Sequence, residues 1–259
     1  MRIALHAVGE AGQRAGRILL AERDLTALGL YRQEGGAEER RTIRVDSLEG
    51  FDVLVSDTPD PAPLAREAAA AGISAVFPAP FRVDRRLLSR FLDAGSTLLV
   101  GAGLSTGIAE TLASHEMART DAESEIAIAW TIPGRPLRRG VAVPFPDPVG
   151  ARWASRVGRA PRRRRNGVTI TRWAAPVRGT WAGALARVTG VRSGDRVERV
   201  VGVADQAAHL DAIALAAGAV VTATSAFPPG LHRPPAAELA YLGAAMRIGL
   251  GVAAYEHPV

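Results

Sequence analysis

The sequence predicts an α/β protein, with a doubly wound parallel sheet in residues 1–120 followed by a smaller α+β domain with an antiparallel sheet in residues 121–259. Three observations lead there. Short continuous apolar runs alternate with helix-spaced segments through the first part, as in a sheet covered on both faces. A Gly-rich turn directly follows the first run. After Asp121 the apolar residues alternate with polar ones, as in strands with one exposed face.

Residues 2–8 (RIALHAV) read as a buried strand closed by Gly9. Residues 12–23 have helical spacing, with Ala15, Ile18, Leu19 and Leu20 on one side and Gln13, Arg17 and Arg23 on the other. Residues 25–32 form a second strand, and a polar loop (EGGAEER) follows. Residues 51–56 (FDVLVS) form a third strand, closed by Asp57, Thr58 and Pro59. A helix at 63–71, a strand at 73–77, a helix at 83–94, a strand at 97–100 and a helix at 105–119 capped by Ser105 complete the first part. Beyond it, residues 124–132, 167–173, 181–191 and 196–203 read as strands, and two Ala-rich helices at 205–224 and 236–253 close the chain.

Composition removes whole classes of chemistry. All 32 basic residues are arginine, and there is no cysteine. Schiff-base lysines, a phosphate-loop lysine, thiol nucleophiles, cysteine zinc sites and disulfides are excluded. The 47% hydrophobic and 22% charged content is that of a globular chain. A net charge of +6 suits an anionic ligand such as a phosphorylated cofactor, and it also suits nucleic acid. The basic run at 159–165 (RAPRRRR), densest at Arg162, Arg163, Arg164 and Arg165, has no interleaved aromatic, so an exposed loop is favoured over a nucleic-acid site. The apolar stretch at 213–227 is shorter than a bilayer span of about 20 residues and reads as a core helix. The first residues lack the pattern of a signal peptide, and a soluble, cytoplasmic protein is expected.

The most specific signal is AVGEAGQRAGRIL. Gly9 and Gly12 follow the first strand, and Ala15 takes the third small position. Small residues let the backbone approach a pyrophosphate, while the helix points its first amides at that anion. Gly9, Glu10, Ala11, Gly12 and Ala15 are therefore candidate dinucleotide-binding residues in a Rossmann-type domain. Where an acid would hold the 2′-hydroxyl of NAD, this chain has Tyr31, Arg32 and Gln33, with no acid before Glu34. Arg32 suits a 2′-phosphate, which favours NADP while leaving NAD possible. Asp57, Thr58 and Pro59, like Pro78, Pro80 and Gly101-Ala102-Gly103, fall at the carboxyl edge of the sheet, where ligands bind.

The segments AVGEAGQRAGRILL, FDVLVSDTP and LLVGAGLSTGIAETLASHEMAR resemble the dinucleotide-binding domains of saccharopine dehydrogenase-like reductases and of dihydrodipicolinate reductases. The resemblance covers residues 1–120. It implies an NAD(P)H-dependent oxidoreductase acting on a small carbonyl, imine or amino-acid-type substrate. The paired-histidine motif, lysine and Ser-Gly-Thr turn of the dihydrodipicolinate reductases are absent: His115 is followed by Glu116 and Met117. No catalytic residue carries over by motif.

Candidate chemistry lies in the second part. Asp205 is placed to cap a helix on which His209 follows one turn later, sharing a face with Ile213 and Ala216. His209 reads as a packed histidine or a proton donor, and no third ligand is spaced to make a metal site. The segment FPPGLHRPPAAE presents His232 as the leading proton donor, with His209 the rival placement, and Arg233 as an anchor for a substrate carboxylate; a plain linker is the alternative. VPFPDPVG, with Asp147, raises the same question more weakly. Trp130, Trp153, Trp173 and Trp181 suit a core, a substrate pocket or a homo-oligomer interface in the second domain. The competing functional expectation is a catalytically inactive dinucleotide-binding sensor or scaffold.

Overall fold

The computed structural model describes residues 1–33, 41–117, 121–130, 155–156, 163–165, 168–174, 181–192 and 194–258. In chain order the elements begin with β1 (Arg2–His6), α1 (Glu10–Ala21), β2 (Ala27–Tyr31), β3 (Thr42–Val45), β4 (Val53–Ser56), α2 (Pro61–Ala70), β5 (Ser74–Phe77), α3 (Arg85–Asp93) and β6 (Thr97–Val100). A π-helical turn (Leu104–Ile108) leads into α4 (Ala109–Met117). Then come β7 (Asp121–Trp130), β8 (Ser155–Arg156), β9 (Arg163–Arg165), β10 (Val168–Ala174), β11 (Trp181–Arg192), β12 (Asp195–Gln206) and α5 (Ala207–Ala223). The chain continues with β13 (Gly230–His232), a 3₁₀ turn (Pro234–Ala237), α6 (Glu238–Arg247) and β14 (Ala253–Pro258).

These elements form two compact units. One joins Met1–Gly107 to Asp211–Gly249, and the other joins Ile108–Leu210 to Leu250–Val259. The expected division at residue 120 therefore differs from the one the contacts make. The first unit takes back a late segment because β13 pairs with β6. That return was not visible in a local reading, since a three-residue strand between prolines carries no periodicity of its own.

The first unit is a doubly wound parallel sheet in the order β13-β6-β5-β4-β1-β2-β3. Alternation along each strand assigns its two faces. Ala4, Leu54, Ala75, Phe77, Leu98 and Val100 share one buried cluster with Leu64, Ala65 and Ala68 of α2 and with Leu87 and Phe91 of α3. The intervening Leu5, Val76 and Leu99 face the other way. Leu5 lies against Gly16 of α1, and Val76 and Leu99 lie against Gly218 of α5. Val53, Leu54 and Val55 are fully buried, each contributing about 1.5–3 kcal/mol of transfer free energy. The strand order reverses between β1 and β4, where Ile3 pairs with Val53 and His6 with Ser56.

The second unit holds a sheet in the order β14-β12-β11-β7-β10-β8, with β9 paired to β10. Its β12, β11 and β7 run antiparallel, as expected, and β14, a strand the sequence reading did not include, pairs antiparallel with β12. The β7–β10 pair is parallel, which departs from a purely antiparallel sheet. Arg163, Arg164 and Arg165 form β9 against β10 rather than a loop. β3 was also unforeseen, because its TIRV sequence is too short and too polar to stand out. Ser105 lies within the π-helical turn and is not a helix cap. The polar loop at 34–40, the arginines at 159–162, Asp147 and Trp153 lie outside the described residues.

Candidate functional site

The turn after β1 meets the turn after β4 at the point where the strand order reverses. Ligands bind there in open α/β sheets, outside the carboxyl ends of the strands. A side chain fills the centre of this place. The Val8 amide donates to Asp57 Oδ1 at 2.7 Å, and the Gly9 and Gly12 amides donate to Asp57 Oδ2 at 3.0 and 2.7 Å. The positive end of α1 adds to the attraction for a carboxylate. The two glycines are required by this approach. A Cβ on Gly12 would stand 2.6 Å from Asp57 Oδ1, and one on Gly9 would stand 3.0 Å from Oδ2.

The other residues of the turn do different work. Ala15 is fully buried, and a Cβ on Gly16 would meet Leu5 at 2.7 Å, so this end of the motif serves helix–strand packing. Glu10 points into solvent and pairs with Arg14 at 2.6 Å. Thr58 Oγ1 accepts from the Asp60 amide, while the Thr58 amide donates to Ser56 Oγ at 3.1 Å, so Thr58 and Pro59 shape the β4 turn. Ser56 in turn meets His6 Nδ1 at 3.0 Å.

Arg32 closes β2 with φ +50. Its guanidinium pairs with Glu67 Oε1 at 2.9 Å and lies over the Tyr31 ring, 4.8 Å from the centroid. Tyr31 donates its hydroxyl to Glu67 Oε2 at 2.7 Å. Burial, then the Glu67 carboxylate, pushes the Tyr31 phenol up to about 12. The hydrogen bond to Glu67 also raises Arg32.

A second turn at the same edge, Gly101-Ala102-Gly103, is fastened by an acid that the sequence reading missed. Asp211 Oδ1 accepts from the Leu104 amide at 2.8 Å. A Cβ on Gly103 would meet the Pro78 carbonyl oxygen at 2.7 Å and Asp211 Oδ1 at 3.2 Å. Burial raises the Asp211 carboxyl, partly opposed by the Leu104 amide. Nearby, the buried Tyr241 hydroxyl donates to the Ala214 carbonyl oxygen at 2.9 Å. The available signal was a lone carboxylate at the head of an otherwise apolar run, 212–221.

The candidate substrate residues fall in both units. Arg233 follows β13, and its Nε lies 3.9 Å from where a Gly101 Cβ would be. His232 stacks on Phe227 with centroids 5.5 Å apart, and its buried Nε2 finds no hydrogen-bond partner among the described residues. In the second unit, His209 Nε2 is 3.8 Å from Asp205 Oδ2. Asp205 is the penultimate residue of β12 and accepts from the Gln206 amide, so it does not cap α5. Within the described residues, no group of three or more His, Asp or Glu could hold a metal ion.

Neither a family model nor a curated protein sequence matches this chain. Solved structures do. A dihydrodipicolinate reductase from Paenisporosarcina sp. TG-14, with dipicolinate bound, matches with a TM-score of 0.54 at 12% identity, over 90% of this chain and 97% of that one. An engineered D-amino acid dehydrogenase bound to NADP+ matches with a TM-score of 0.54 at 14% identity, over 91% and 93%. The C. glutamicum DAP dehydrogenase in complex with DAP gives 0.51 at 15% identity, over 91% and 93%. At these identities the likeness establishes a shared two-domain fold, and it bears out the dihydrodipicolinate reductase side of the sequence resemblance at that level.

Proposed function

We propose that this chain is an NAD(P)H-dependent oxidoreductase, preferring NADP, that acts on a small carbonyl, imine or amino-acid-type substrate. One observation carries the reading: the Val8, Gly9 and Gly12 amides converge on an anion at the point where the strand order reverses. The donors suit a dinucleotide's phosphate, because they already hold a carboxylate in the space that the two glycines leave. Support also comes from neighbours of the same fold, one of them bound to NADP+. The saccharopine dehydrogenase-like affiliation is part of the same proposal.

When bound, the dinucleotide supplies the hydride equivalent. The chain's part is to bind, orient and deliver a proton. Gly9 and Gly12 hold the pyrophosphate, Arg32 pairs with the 2′-phosphate, and Thr58 and Pro59 line the path between them. Arg233 anchors a substrate carboxylate beside the Gly101 turn. His209, paired with Asp205, is the first choice of proton source because it is partly exposed and has a carboxylate beside it. His232 is the rival, with a packed ring and an unsatisfied Nε2.

Calorimetric titration with NADPH and NADH tests the reading, with NADPH expected to bind more tightly. Absence of binding by either at millimolar concentration overturns it. Turnover across small aldehydes, imines and keto acids then separates the enzyme from a second reading, a non-catalytic dinucleotide sensor or scaffold. That alternative is favoured by the carboxylate already seated in the cradle. We also propose a homodimer through the second unit, whose strands carry Trp130, Trp173 and Trp181. A monomer at micromolar concentration in light-scattering chromatography would refute that. No described helix is long and apolar enough to cross a membrane, and we propose a cytoplasmic location.

A further inference from the structure

We infer that Asp57 and Glu67 are built-in competitors of the cofactor, Asp57 holding the amides that a pyrophosphate would take and Glu67 holding the guanidinium that a 2′-phosphate would take. The inference rests on the dinucleotide reading. Its basis is mutual exclusion at two separate anion positions. At the first, three amides already point at Asp57 within 3.0 Å. The seat is only as large as the carboxylate, since a Cβ on Gly12 would overlap Asp57 Cγ at 2.7 Å. A phosphate cannot share these donors with Asp57.

Release of Asp57 needs only a side-chain rotation. The β4 turn is held by other bonds, from the Thr58 amide to Ser56 Oγ and from the Asp60 amide to Thr58 Oγ1. Binding is therefore an exchange of anions, carboxylate out and pyrophosphate in. The released carboxylate stays near the incoming charge and opposes it. Apparent affinity is lowered by the fraction of molecules with Asp57 outside the seat.

The second position is a weaker lock. The Arg32 side chain is 52% exposed, so its pair with Glu67 is screened by water. Glu67 is nonetheless held in place by the Tyr31 hydroxyl. Because a 2′-phosphate distinguishes NADP from NAD, Glu67 bears on cofactor choice while Asp57 bears on affinity for both.

The test is titration of wild type, D57N, D57A and E67Q with NADPH and NADH, with unfolding midpoints measured without ligand. Both Asp57 variants are expected to bind each dinucleotide about tenfold more tightly, yet to unfold at lower temperature without ligand. E67Q is expected to gain about two- to threefold for NADPH and nothing for NADH. Equal or weaker NADPH binding by folded D57N and D57A overturns the first lock, and an equal gain for NADH in E67Q overturns the second. The Gly9 and Gly12 amide resonances of the wild type provide an independent measurement. Saturating NADPH must shift both, and unchanged resonances at saturation overturn the exchange. If no protein, wild type included, binds either dinucleotide at millimolar concentration, the dinucleotide reading itself fails.

Discussion

Gly12 carries two constraints at once. Its amide donates to Asp57, and its Cα faces the carboxylate and Ala7 so closely that an added Cβ would lie 2.6 Å from Asp57 Oδ1 and 2.8 Å from Ala7 Cβ. Gly12→Ala must push both neighbours away. A loss of about 1–3 kcal/mol in denaturant unfolding is expected, together with loss of NADPH binding. Unchanged stability would mean that the two turns lie further apart. Asp211 presents a different residue-scale case. Burial places its folded pKa above the unfolded value, so the folded chain holds this proton more tightly. Its contribution is full below the unfolded pKa and is lost as pH rises through the folded one. Asp211→Asn removes that loss. The midpoint of the variant relative to wild type should therefore rise as the pH is taken from below the ordinary carboxylate range up through it. A difference that stays constant across this range would contradict the burial argument.

At the scale of elements, legibility followed the locality of the signal. Apart from β3, the alternating runs of residues 1–104 were readable because those strands and helices declare themselves within a few residues, and the Gly9-Gly12 turn because a tight approach demands small side chains. What escaped was set by partners distant in sequence. Asp57 could be placed at the carboxyl edge, but its seat among the α1 amides depends on β1 and β4 being neighbours. Asp211 and β13 acquire meaning only when the chain returns to β6. Two helical glycines make the same distinction measurable. A Cβ on Gly218 of α5 would meet Val76 at 2.9 Å and Ala102 at 3.0 Å, whereas one on Gly243 of α6 would meet nothing within 4 Å. Gly218→Leu should cost about 1–3 kcal/mol by overpacking against β5 and β6. Gly243→Ala should instead gain about 0.5–1 kcal/mol from helix propensity. Denaturant midpoints of the two variants moving in the same direction would contradict the placement of α5 on the sheet.

At the scale of the whole molecule, the chain passes between the two units three times, at 107–108, at 210–211 and at 249–250. Cutting it at residue 120 removes β13 and α5, although β13 and α5 from Asp211 onward belong to the first unit. The edge of β6 is then left unpaired, and the face that α5 covers is opened. That face includes Val76 and Leu99, which lie against Gly218 of α5 and are fully buried. A fragment of residues 1–120 should therefore lack a cooperative thermal transition. Residues 1–107 joined by a short Gly/Ser linker to residues 211–249 should unfold cooperatively and retain dinucleotide binding. The join is geometrically easy, since the Leu104 amide already donates to Asp211 at 2.8 Å. Circular dichroism melts and NADPH titration of the two chains decide the matter. A cooperative 1–120 fragment beside an unfolded fused chain would show that the returning segment adds little to the sheet.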